Sequence, residues 1–124
     1  MMAFLQTTVF DNGLSYLTSN VTTLHILQGA SDPATFADVT TNTLGNAAVT
    51  VGSPGARTGG GRKVTVPAIS SGSVTATGTA TRYALVKTAT SELIAAGSLS
   101  SSQSVTSGNT FSLTTFDVGI PNPA

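Results

Sequence analysis

The side chains in this sequence with the chemistry to move a proton or hold a hard cation are Asp11, His25, Asp32, Asp38, Glu92 and Asp117. One His and no Cys leave no Cys–His pair, and give a Ser–His–Asp triad a single candidate base. His25 stands between Leu24 and Ile26, a setting that suits a structural or interface imidazole better than a catalytic one. Paired carboxylates for acid–base work would have to come from distant segments, and no spacing brings two together. Asp32 and Asp38 share an irregular stretch whose carbonyls suit Ca²⁺, but their spacing matches no EF-hand loop. Asp at turns ordinarily bonds its own backbone. The expectation is therefore a non-enzymatic chain, with no catalytic residue, no cofactor and no metal site.

The basic residues are less evenly spread. Arg57, Arg62 and Lys63, three of the five cations, fall in or beside a glycine-rich stretch, Gly55-Ala56-Arg57-Thr58-Gly59-Gly60-Gly61-Arg62-Lys63. It fails as a phosphate-binding loop, because Lys63 follows Arg62 rather than Gly and precedes Val64. Two readings remain, a solvated loop or a docking loop that orders against an acidic partner, since Arg pairs well with carboxylates across interfaces. Asn20-Val21-Thr22 fits the N-glycosylation pattern. The first residues carry no basic run and no long apolar run of the kind a signal peptide needs, so the match is read as chance.

Composition narrows the class. The 124 residues fit one domain, read as 1–124. Only 8% are charged, with zero net charge, where about 25% is usual. With 22 Thr, 15 Ser and 13 Gly, the surface is solvated by hydroxyls and backbone rather than by ions. A neutral chain lacks the electrostatic footprint for nucleic acid. No apolar run is long enough to span a bilayer as a helix. Low charge also favours association.

The elements that must position these groups follow from periodicity. Phe10, Leu14, Leu17 and Val21 recur at i, i+4, i+7 and i+11, the stripe of a short amphipathic helix. Thr8 is its candidate cap, whereas Asp11-Asn12-Gly13 is also a hairpin-turn signal. Residues 21–28 read as a strand, with Leu24 and Ile26 on one face and His25 and Leu27 on the other. Residues 29–62 read as irregular, interrupted by one strand over about 44–51, and 52–62 as a flexible loop. Beyond this, Val64-Thr65-Val66 alternates, and Ser70-Ser71-Gly72 signals a turn. Val74, Ala76, Gly78 and Ala80 then alternate with Thr75, Thr77, Thr79 and Thr81. Tyr83-Ala84-Leu85-Val86 is apolar on both parities, as in a central strand covered on both faces. Ser100-Ser101-Ser102 and Ser107-Gly108-Asn109 mark further turns. Phe111 and Leu113 are odd-numbered while Phe116, Val118 and Ile120 are even-numbered, a phase change that predicts a bulge or bend at Thr114-Thr115. Pro121 and Pro123 end the pairing. The fold class is all-β, an antiparallel β-sandwich of jelly-roll or Ig-like type with a short N-terminal helix.

The run from Gly72 through Val86, then Glu92 through Leu99, then Gln103 through Phe111, resembles small all-β virion proteins of tailed bacteriophages. These are the head decoration (cement) and tail-associated β-sandwich group. The resemblance implies a protein that binds the outside of an assembled shell, often as a trimer, and bridges subunits of the major capsid protein. Arg57, Arg62 and Lys63 would then contact the capsid. The apolar residues Met1, Met2, Phe4 and Leu5, in a candidate arm over 1–6, would pack on a neighbour. A receptor- or carbohydrate-binding module on a tail is the alternative.

Overall fold

The computed structural model describes residues 6–121; Met1, Met2, Phe4 and Leu5 lie outside the described residues, as does Pro123. The helical stripe prevails over the turn signal at its start. Helix α1 spans Thr7–Asn20 and buries Phe10 and Leu14, with Leu17 partly covered and Val21 buried just beyond. Packing of that apolar face outweighs the local preference of Asp11-Asn12-Gly13 for a turn. The expected cap is corrected: Thr8 lies inside the helix, and Gln6 takes the N-cap position without a side-chain hydrogen bond.

Strand β1 (Thr23–Leu27) follows, then a second helix, α2 (Phe36–Asn42), in the segment expected to be irregular. A capping box explains it. Thr35 Oγ1 accepts from the Asp38 backbone N–H at 3.2 Å, and Asp38 Oδ2 accepts from the Thr35 N–H at 3.3 Å and the Ala34 N–H at 2.9 Å. Two of the orphan donors of a helix start are thereby satisfied. Val39 is the side chain that α2 buries.

The remaining strands are β2 (Thr43–Ala48), β3 (Gly55–Ala56), β4 (Arg62–Val66), β5 (Ile69–Val74), β6 (Gly78–Lys87), β7 (Glu92–Val105), β8 (Thr110–Leu113) and β9 (Phe116–Ile120). All pairings are antiparallel. One sheet has six strands in the order β7-β6-β1-β2-β5-β8, and the other has three in the order β3-β4-β9. Both contribute to one core, in which Leu14 of α1, Leu24, Ile26 and Leu85 of the large sheet, and Val64 and Val66 of the small sheet meet. β6 is covered on both faces, as its sequence predicts: Leu85 enters this core, while Ala84 and Val86 pack with Leu27 and Val39 under α2.

Two turn expectations are corrected. Ser70-Ser71-Gly72 lies within β5, where Gly72 is required because a Cβ there would collide with the Phe111 ring. Ser100-Ser101-Ser102 lies within β7, as part of a bulge. The chain breaks instead after Val74, where the N–H groups of Thr75 and Ala76 both donate to the Leu44 carbonyl. Burial nevertheless alternates in phase across this break, with Val74 and Ala80 buried and Thr75, Thr77 and Thr79 exposed. The turn at Ser107-Gly108-Asn109 forms as expected.

The phase change near the C-terminus is more than a bulge. β8 belongs to the large sheet and β9 to the small one, so the chain switches sheets at Thr114-Thr115. The Thr115 hydroxyl donates to the Val66 carbonyl at 2.8 Å and ties the crossover down. Within 52–62, β3 pairs with Lys63 and Arg62 of β4, and Gly59, Gly60 and Gly61 make the connection with φ of +88°, +107° and +88°. These are left-handed conformations that only Gly adopts without strain.

Candidate functional site

The three cations singled out by their spacing fall on or beside the three-stranded sheet, but in unlike surroundings. Arg62 donates through Nε to Asp11 Oδ1 at 2.8 Å and through Nη2 to Asp11 Oδ2 at 3.2 Å, a two-point clamp of α1 onto β4. The Asp11 carboxylate raises the guanidinium pKa further. Lys63 Nζ donates to Asp117 Oδ2 at 2.9 Å, and the Thr65 hydroxyl donates to Asp117 Oδ1 at 2.8 Å. These bonds, that from Lys63 first, hold the Asp117 carboxyl below its usual range. Arg57 makes no ion pair among the described residues. Its Nη1 donates to the Gly60 carbonyl at 3.0 Å. Arg57, Thr58, Lys63, Asp117 and Gly119 line a cleft of about 360 Å³.

The other acidic groups and His25 bond within the fold. His25 Nδ1 lies 2.9 Å from the Thr43 hydroxyl, and burial pushes its pKa down, so the ring is neutral at pH 7. Asp32 accepts from Arg82 Nη1 at 3.1 Å, while Arg82 Nη2 donates to the Ala30 carbonyl at 2.7 Å and Nη1 also contacts Ser98. Asp38 closes the capping box of α2 with Thr35, so Asp32 and Asp38 have separate partners. Among the described residues no group of three His, Asp or Glu could hold a metal ion. Glu92 accepts from the Tyr16 hydroxyl through both oxygens, at 2.6 and 2.7 Å, which raises the phenol pKa. Asn20 is engaged at both ends of its amide: Nδ2 donates to the Tyr16 carbonyl at 3.0 Å and Oδ1 accepts from Lys87 Nζ at 3.1 Å.

A second feature escapes sequence reasoning. Although β7 and β8 are consecutive, they occupy opposite ends of the strand order, so the large sheet curls and leaves a seam between them. Gln103 Nε2 bridges the seam to the Ser112 carbonyl at 2.9 Å. Beside this bridge is a groove of about 860 Å³ whose lining includes Ile69, Tyr83, Leu99, Leu113 and Phe116. The Tyr83 and Phe116 rings lie 4.5 Å apart at 49°. Burial, then the charge of Asp32, raises the Tyr83 phenol pKa. Ser98, Ser100, Ser101, Ser112 and Thr114 give the groove a hydroxyl rim. The traces of this groove in the sequence are the serine run and the phase change, neither of which names its neighbours. No family model matches the chain, and neither a curated protein nor a solved structure matches it.

Proposed function

We propose that this chain is a non-enzymatic virion structural protein of a tailed bacteriophage. In this reading it is a head decoration (cement) protein, built as a β-sandwich, that binds the outer capsid surface as a homo-oligomer. The observation that supports it most directly is Arg57, a cation without a carboxylate partner among the described residues, beside an open cleft. A carboxylate of the major capsid protein would give it the two-point pairing that Arg62 already has within the chain. A low-charge, hydroxyl-rich surface also loses little on being covered, whereas each buried unpaired charge is costly. Binding the assembled shell and not its dispersed subunits stabilises the shell by mass action.

Imaging of intact particles tests the address, and occupancy of shells by the Arg57→Ala variant tests the contact. The expected result is density on the head, with occupancy reduced by Arg57→Ala, most visibly at low salt. Unchanged occupancy removes Arg57 from the contact, and an address on the tail removes the decoration role. A tail-associated receptor- or carbohydrate-binding module is the second reading, favoured by the aromatic floor and hydroxyl rim of the groove. It predicts glycan binding by the isolated chain that is lost in Tyr83→Ala.

A further inference from the structure

The cleft at Arg57 and the groove at Tyr83 meet at Asp117, which lines both. Their chemistry differs. In the cleft, Arg57 and Lys63 stand against the single carboxylate of Asp117, which Lys63 and the Thr65 hydroxyl already engage. Arg57 spends Nη1 on the Gly60 carbonyl, and a guanidinium with five N–H donors keeps others for a carboxylate. Its side chain lies over Gly119, where an added Cβ would come within 3.0 Å of Arg57 Cδ. In the groove, Ile69, Leu99 and Leu113 wall a notch that also holds the Tyr83 and Phe116 rings, tilted at 49°. A notch of this kind fits an apolar side chain better than the flat face of a sugar ring.

Strand β9 sets the spacing between the two halves. Phe116 and Gly119 stand three residues apart on it, about 10 Å in an extended chain. The odd spacing puts them on opposite faces, with Phe116 packed against the core and Gly119 exposed under Arg57. An extended ligand chain alongside β9 reaches both halves when an apolar and an acidic residue stand three positions apart, because these also point to opposite sides. A second copy does not supply the acid, since each of the five acidic side chains already bonds within the fold. We propose that this depression receives an extended segment of a different protein with an apolar–x–x–acid pattern. The apolar side chain sits against Tyr83 and Phe116, and the carboxylate pairs with Arg57. The inference rests on the decoration reading and names the chemistry that the capsid surface presents to this chain.

The probe is the peptide acetyl-Phe-Ser-Ser-Asp-amide, titrated into the full chain and followed through backbone amide NMR signals. The expected result is a joint shift at Leu99 and Phe116 in the groove and at Thr58 and Gly119 in the cleft. Asn in place of the probe's Asp should weaken binding about fivefold, the upper scale of an exposed ion pair, and high salt should narrow that gap. The shorter acetyl-Phe-Ser-Asp-amide should shift one half alone. Arg57→Gln should abolish the preference for Asp over Asn, and Ser101→Trp, at an exposed position lining the groove, should remove the groove shifts. Neither residue is buried, so both variants are expected to keep the parent circular dichroism spectrum. No shift at millimolar probe overturns the proposal. So does equal binding of the Asp and Asn peptides, or a glucuronate oligosaccharide that shifts both halves where the peptide does not. Failure of the probe beside shell occupancy that falls in Arg57→Ala strikes this inference and leaves the decoration reading standing. Probe binding at both halves beside a tail address strikes the decoration reading and leaves the apolar–x–x–acid site standing.

Discussion

In the three-stranded sheet, Arg62 and Lys63 of β4 each face a carboxylate, Asp11 from α1 and Asp117 from β9. In the six-stranded sheet, β6 is clamped between apolar layers, with Ala84, Leu85 and Val86 fully buried. The small sheet offers only Val64 and Val66 as fully buried side chains, so ion pairs at its margin help to fix its edges and the helix above it. The large sheet carries one ion pair, Arg82 of β6 with Asp32, and its outer edge at 98–105 carries no charge at all. Of the chain's five cations, two thus pair with carboxylates on the smaller sheet and one on the larger, whose edge is uncharged over 98–105.

This contrast can be broken first at the large sheet. Leu85→Ala removes a fully buried side chain from the centre of the core. It is expected to lower stability by about 2–5 kcal/mol, read as a reduced urea midpoint. A change below about 1 kcal/mol would mean that the core repacks around β6. Lowering the pH acts on both sheets in sequence. His25 has its pKa depressed by burial, so the unfolded chain takes up the proton more readily. Its contribution is complete above the ordinary imidazole value of about 6.5 and is lost as pH falls through the lower folded value. Asp117, depressed by Lys63 and Thr65, acts the same way in a more acid window. Its contribution is present above the ordinary carboxylate value of about 3.9 and disappears below it. Unfolding midpoints measured against pH should therefore fall in two stages, and His25→Asn should flatten the first alone. The smallest effect is expected from Asp11→Asn, which removes the clamp on Arg62. Both side chains are part-exposed, at 25% and 31%, so the loss should be modest and should shrink in high salt. A large, salt-insensitive loss would show that α1 depends on this pair rather than on Phe10 and Leu14.

Several of these features are legible in the residues. The stripe of α1, the doubly covered β6, and the turn at Ser107-Gly108-Asn109 follow from local periodicity and turn chemistry. Helix α2 was legible too, in the three-residue spacing of Thr35 and Asp38 that makes a capping box, but the Pro and Gly around it read as loop. The serine runs misled for the opposite reason. Ser at 70–71 and 100–102 is good turn chemistry locally, yet each run is a bulge inside a strand whose flanking residues, Ile69 and Gly72 or Ser98 and Gln103, pair with segments far away in sequence. Of the three basic residues, spacing alone could not tell Arg57 from Arg62, because what separates them is a carboxylate supplied by a helix 51 residues earlier.

Alternation and composition by themselves determined an antiparallel β protein with a hydroxyl-rich surface and a helix at its start, since side-chain period and turn preference are properties of neighbouring residues. The tertiary structure alone decided which of Arg57, Arg62 and Lys63 meet a carboxylate, where the chain changes sheets, and that β7 and β8 part to leave a seam. Each of these depends on the order in which strands meet, and strand order is set by packing between segments that the chain separates by tens of residues.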